Sequence, residues 1–202
     1  MGSQWGRDKV YLRAVREGYR SRAALKLREI QDRFSLIRSD DNVIDLGAAP
    51  GSWLQVVRTL TTGHVIGIDL SQIPPIEGVV TITGDFTDKD VQTEVKSLIP
   101  FASVVLSDAS PKLSGQRSYD QARAIALGEE ALLFATSILK PGGNCVIKSF
   151  QGEEFGSLVS LARQRFFSVK TYICRASRRG STEIYLIMRN YKGRTEDALG
   201  PL

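Results

Sequence analysis

Three ionisable residues stand at or inside apolar runs that read as strands. Asp108 closes the run 103–107, Lys148 sits within 144–150 beside Val146, Ile147 and Phe150, and Glu183 opens 183–189. If the last run is antiparallel to the others, its first residue lies at the edge where parallel strands finish, so Glu183 faces the same cleft as Asp108. A lysine in so apolar a strand is costly to bury alone; it either reaches solvent or meets a carboxylate, and Asp108 is the obvious partner. A structural ion pair is the plain account of that pair. A lysine placed against a weak oxygen nucleophile is the chemical one.

A second signal is Asp45-Leu46-Gly47-Ala48-Ala49-Pro50-Gly51, which follows the first strand pattern and opens a helix. Open α/β sheets bind ligands at such carboxyl ends of strands. Gly47 permits close approach of the backbone to a ligand, Pro50 suits a first helical turn, and Gly51 removes a side chain from the approach. The segment lacks the G-x-G-x-x-G cradle that a pyrophosphate needs. A looser loop with a carboxylate such as Asp45 suits a methionine moiety and a ribose. Asp69, beside Leu70 at the end of the next strand pattern, is placed to accept from ribose hydroxyls. Asp85, after the third, is placed to accept from an adenine amino group, with Phe86 beside the ring. A turn and a helix cap are the plain readings of the two aspartates. Trp53 is grouped with these cofactor residues, although core packing is its plainer role.

Positioning these residues requires β-rich runs alternating with helical patterns. The strands are predicted at 42–46, 64–70, 79–83, 103–107, 144–150, 169–174 and 183–189, and the helices at 51–60, 88–98, 118–139 and 153–166. The alternation predicts a mostly parallel sheet covered on both faces. Only residues 175–182 separate the last two strands, which therefore form an antiparallel hairpin. Ahead of the sheet, Ser21 can cap a helix with Ala24, Leu27, Ile30 and Phe34 at helical spacing, and Lys26 lies beside that stripe.

The 202 residues, 42% hydrophobic, suit one domain, with 1–38 a basic helical extension and 191–202 a flexible tail. The net charge of +5 is unevenly spread: residues 1–40 hold ten Lys and Arg against five Asp and Glu, and residues 174–194 hold six against one. Arg20, Arg22 and Arg33 at one end, and Arg175, Arg178 and Arg179 at the other, are the candidate contacts to the phosphates of a nucleic acid, although a basic helix taken alone is more often a solvated face. Cys145 and Cys174 each lie in an apolar run, which suits buried thiols in a reducing compartment. No apolar stretch reaches the length of a membrane span, and the expected location is the cytoplasm.

Ser21-Arg22-Ala23-Ala24-Leu25-Lys26-Leu27, Asp45 through Trp53, Ser107-Asp108-Ala109-Ser110-Pro111-Lys112-Leu113-Ser114-Gly115, Lys148-Ser149-Phe150-Gln151-Gly152 and Ser181-Thr182-Glu183-Ile184-Tyr185 together resemble the FtsJ/RrmJ family of RNA 2'-O-ribose methyltransferases. The resemblance runs in one order along nearly the whole chain, with departures at Ser110 and Lys112. It implies a Rossmann-like fold whose seven-stranded sheet has an antiparallel last strand. It implies S-adenosyl-L-methionine as cofactor and a Lys-Asp-Lys-Glu tetrad at Lys26, Asp108, Lys148 and Glu183, with Asp108 also on the cofactor side. The substrate implied is a uridine of 23S ribosomal RNA in the large ribosomal subunit, acted on by a monomer without a metal. Transfer RNA, a capped RNA end and a catalytically idle RNA-binding module are the alternatives. A nucleotide-dependent oxidoreductase is disfavoured by the missing glycine cradle.

Overall fold

The computed structural model describes residues 9–112, 114–152, 154–177 and 180–193. Its centre is a seven-stranded sheet formed by β1 (Val43–Leu46), β2 (Val65–Asp69), β3 (Val80–Thr83), β4 (Ala102–Ser107), β5 (Leu139–Phe150), β6 (Phe166–Tyr172) and β7 (Glu183–Tyr191). The order across the sheet is β3-β2-β1-β4-β5-β7-β6, and β7 is antiparallel to both of its neighbours. The Rossmann-like arrangement and the closing hairpin expected from the sequence are therefore present. The strand order reverses direction between β1 and β4, which places the ends of those two strands at a topological switch point.

Alternation along each strand feeds two cores. Ile44, Leu46, Val105 and Ile147 pack on one face beneath α4 (Lys89–Leu98), α5 (Arg117–Ile138) and α6 (Phe155–Arg165). Val43, Val104, Leu106 and Val146 pack on the other beneath α2 (Ala23–Phe34) and α3 (Ser52–Leu60). Burial on both faces is why these strands read as nearly continuous apolar runs. In front of α2, the short α1 (Lys9–Arg16) docks through Ala14 against Leu25 and Ala176.

The sheet extends past the predicted limits most at β5 and β6. β5 begins at Leu139, paired with Ala102, and shifts register before Asn144 meets Val104. The Pro141-Gly142-Gly143 turn signal thus marks an irregularity inside the strand and not its start. β6 begins at Phe166, which pairs with Tyr191, and ends before Cys174. Ser21 acts as a cap in a shifted frame: α2 starts at Ala23, whose N–H donates to Ser21 Oγ over 3.1 Å.

Candidate active site

Strand register brings the tetrad together. Ser107 lies opposite Ile147, so Asp108, one residue beyond β4, stands beside Lys148. On the other flank β7 sets Glu183 against Phe150 and Tyr185 against Lys148. The Lys148 ammonium lies 3.2 Å from Asp108 Oδ1 and also donates to the Asp108 backbone carbonyl. Lys26 donates to Glu183 Oε2 over 2.7 Å, and Ser177 Oγ donates to Glu183 Oε1 over 2.6 Å. The side chains of Lys26 and Lys148 are only 8% and 9% exposed, so both lysines are buried with partners. Burial works against the charge of Glu183, but the Lys26 ammonium, the Ser177 hydroxyl and the Lys148 charge outweigh it and hold the carboxyl below its ordinary range.

Lys26 is more enclosed than its place beside the apolar stripe suggests. Its ammonium lies 5.8 Å from the centre of the Tyr185 ring, and Tyr185 is fully buried. Tyr185 itself donates to Asp108 Oδ1 over 2.8 Å, which joins the two ion pairs through one side chain. Burial, with Asp108 and Glu183 next, pushes the Tyr185 hydroxyl well above its ordinary pKa, so it remains a donor. Sequence reading gave Tyr185 no role. The signal was available, because residues two apart on a strand share a face and Glu183 was already assigned to the cleft.

Beside the tetrad lies a cavity of about 870 Å³. Gly47, Asp69, Leu70, Asp85, Phe86 and Asp108 line it, as expected, together with Ala109, Lys112, Arg123 and Leu127. Gly47 has φ +72°, and a Cβ there would come within 2.6 Å of Ala109 Cα; only glycine lets the two loops meet at the mouth. Asp69 accepts from the Ala49 and Ser71 backbone N–H groups, one on each oxygen, which fixes its orientation. Asp85 Oδ1 accepts from the N–H and hydroxyl of Thr87, so the plain turn role operates at a residue that also lines the cavity.

Asp45, on β1, is fully buried and does not line the cavity, and neither of its carboxylate oxygens is hydrogen-bonded among the described residues. Burial, then the charges of Asp108 and Asp69, raise its pKa well above the carboxylate range. The cavity itself is lined by the carboxylates of Asp69, Asp85 and Asp108, and this acidic lining calls for a cationic ligand. The positive charges of an amino-acid ammonium and a sulfonium answer it, and apolar Phe86, Leu70 and Leu127 suit an adenine ring. The residues present therefore fit S-adenosylmethionine.

Several expected contacts fall elsewhere. Ala48, Pro50, Gly51 and Trp53 do not line the cavity. The Trp53 indole donates to the Ala23 carbonyl and packs against Tyr185, so it braces the site from the core. Arg20 is half-buried: its guanidinium donates to the carbonyls of Pro50, Pro74 and Pro75 and bolts the segment before α2 to the cofactor loop. Arg22 is half-buried at the start of α2. Arg33 and Arg175 are exposed and line a groove of about 640 Å³ with Lys9, Arg13 and Arg28. Arg178 and Arg179 lie outside the described residues.

A doubly wound sheet with β7 inserted, an acidic ligand pocket and a buried Lys-Asp-Lys-Glu cluster define a methyltransferase fold and site. The chain matches the FtsJ-like methyltransferase family over residues 19–191 and belongs to it. It is 64% identical over 193 residues to the ribosomal RNA large subunit methyltransferase E of Methanoregula boonei, covering 96% of this chain and 100% of the relative. The protein of the same name from Methanoculleus marisnigri is 63% identical over 203 residues, with both chains fully covered. Among solved structures, a ribosomal RNA methyltransferase of Plasmodium falciparum superposes with a TM-score of 0.79 at 27% identity, covering 87% of this chain and 100% of its own.

Proposed function

We propose that this protein transfers a methyl group from S-adenosyl-L-methionine to the 2'-oxygen of a ribose in RNA, with a uridine of 23S ribosomal RNA in the large subunit as target. The observation that carries the reading is the meeting of Lys26, Asp108, Lys148 and Glu183 in one buried cluster, whose Asp108 also lines the cavity. The names of the similar archaeal proteins supply the ribosomal RNA. The protein works as a cytoplasmic monomer, and none of its described helices is long and apolar enough to cross a membrane.

When bound, the cofactor supplies an electrophilic methyl group on a sulfonium. Asp69 would hold its ribose portion and Asp85 and Phe86 its adenine side, while Asp45 would act on its charge from the core behind the loop. A ribose hydroxyl is a weak nucleophile whose proton must leave as the oxygen attacks. Lys148 Nζ is the atom that orients the hydroxyl, with Asp108 holding the ammonium in place, and the hydroxyl proton passes to water as the oxygen takes the methyl group and the sulfonium leaves as the neutral thioether. The Lys26–Glu183 pair positions the ribose, so much of the acceleration comes from alignment. Arg33 and Arg175 contact phosphates and leave target choice to RNA shape.

The test is incubation with methyl-labelled cofactor and total RNA, followed by nuclease mapping of the label. Label is expected on a ribose of large-subunit ribosomal RNA and is lost in Lys148→Ala and Asp108→Ala. Label on transfer RNA, or on a base, would overturn the reading.

A further inference from the structure

Glu183 is held by more than its lysine. Its Oε2 faces Lys26 at 2.7 Å, and its Oε1 accepts from Ser177 at 2.6 Å, so each oxygen has its own donor. Ser177 belongs to a tight turn closed by its own N–H on the Cys174 carbonyl. That turn is captured by Glu29, whose carboxylate accepts from the N–H groups of Arg175 at 2.9 Å and Ala176 at 3.4 Å, and from the Tyr172 hydroxyl at 2.6 Å. Glu29 lies three residues beyond Lys26 on α2, nearly one helical turn along. The Cys174 thiol also leans on the Lys26 carbonyl at 3.9 Å. One helix therefore carries both the lysine and the anchor of the turn that grips the opposing carboxylate.

We propose that Ser177 is a positioning residue for the methyl-transfer site, and that Glu29 acts through it by fixing the turn that aims the Ser177 hydroxyl at Glu183. The inference rests on the reaction proposed above. Without Ser177, Glu183 keeps Lys26 but is free to turn about its side-chain bonds, and the ribose-positioning pair loses its fixed direction. The groups facing Glu183 are Lys26 from α2, Lys148 from β5, and Tyr185 and Cys174 beside it. Ser177 is the neutral donor among its partners, and its removal leaves this set of charges intact.

The experiment compares Ser177→Ala and Ser177→Thr in the full chain. Ser177→Ala is expected to lower kcat about 10-fold with the KM for cofactor unchanged, and Ser177→Thr to restore it, as the loss of one hydrogen bond to a charged group predicts. Glu29→Ala should give a similar kcat-selective loss, and the double variant less than the product of the two, because both act along one path. Titration of the Glu183 carboxyl by carbon NMR, without substrate, should show its pKa higher in Ser177→Ala and unchanged in Ser177→Thr. An unmoved Glu183 in Ser177→Ala overturns the proposal even if the wild type proves not to methylate RNA. An inactive wild type with a moved Glu183 overturns the functional reading and leaves the positioning intact.

Discussion

Tyr185 donates its hydroxyl to Asp108 Oδ1 at 2.8 Å, the same carboxylate oxygen that faces the Lys148 ammonium at 3.2 Å. Two donors on one oxygen fix where the aspartate points, and thereby where the lysine can stand. Since burial and the nearby carboxylates push the tyrosine hydroxyl well above its ordinary pKa, the bond persists across the neutral and mildly alkaline range.

Tyr185→Phe removes that donor and keeps the ring packed against Trp53. A hydrogen bond to a charged acceptor contributes roughly 1.5–3 kcal/mol, so kcat should fall about 10- to 100-fold. Cofactor affinity should stay near wild type, because Tyr185 does not line the cavity. Steady-state kinetics check both, and a variant with full kcat would remove Tyr185 from the site.

The contrast between Tyr185 and Glu183 shows what the amino-acid string conveys. Glu183 was legible because an antiparallel last strand starts at the edge where the parallel strands finish, and Lys148 because a lysine inside an apolar strand is costly to bury alone. Tyr185 was legible only in part: its face follows from Glu183 two residues earlier, but its hydroxyl partner depends on β7 lying between β5 and β6. The doubly wound sheet could be read from alternating strand and helix patterns, while the length of β5 could not, since its Pro-Gly-Gly irregularity looks like a turn. The intramolecular role of Arg20 was hidden for a related reason. An arginine in a basic segment looks like a phosphate contact until the carbonyls of Pro50, Pro74 and Pro75 are found around it.

Asp45→Asn separates the stability of the free protein from its affinity for cofactor. The raised pKa of Asp45 means the folded protein favours the protonated carboxyl. Stability is therefore greatest below the ordinary carboxylate range and declines as the pH rises towards the raised value. The amide removes that decline, so Asp45→Asn should melt at or above the wild-type temperature in neutral buffer without cofactor. It should also lose part of the stabilisation that S-adenosylmethionine gives the wild type, because the amide cannot give up a proton and become a carboxylate when the ligand cation arrives. Thermal melts with and without cofactor test both. An unchanged ligand shift would remove Asp45 from the binding site.

Lys26→Met and Glu183→Gln each leave half of a buried pair. Breaking such a pair typically costs about 3–5 kcal/mol, and replacing both partners costs much less. The double variant should therefore be more stable than the sum of the single losses predicts, and all three proteins should be inactive if the pair positions the ribose. For Glu183 the lowered pKa sets the pH window. Its contribution is fully present above the ordinary glutamate range and is lost as the pH falls through the lowered value. Denaturant unfolding from neutral to acid pH, together with methyl transfer, checks the set. Additive losses would show that the pair is uncoupled.

Arg20 and Arg175 should give opposite results, although both were candidate RNA contacts. Arg20 ties the Pro50 carbonyl to those of Pro74 and Pro75, so Arg20→Ala loosens the cofactor loop. It should raise the KM for S-adenosylmethionine and leave the salt dependence of RNA binding unchanged. Arg175 is exposed in the basic groove beside α2. Arg175→Ala should weaken RNA binding and reduce the slope of log affinity against log salt by about one, the effect of losing a single phosphate contact. Filter binding over a salt series, run beside cofactor titrations, distinguishes the two. If Arg20→Ala altered the salt slope and Arg175→Ala did not, RNA would have to cross the cofactor-loop side of α2 instead of the groove.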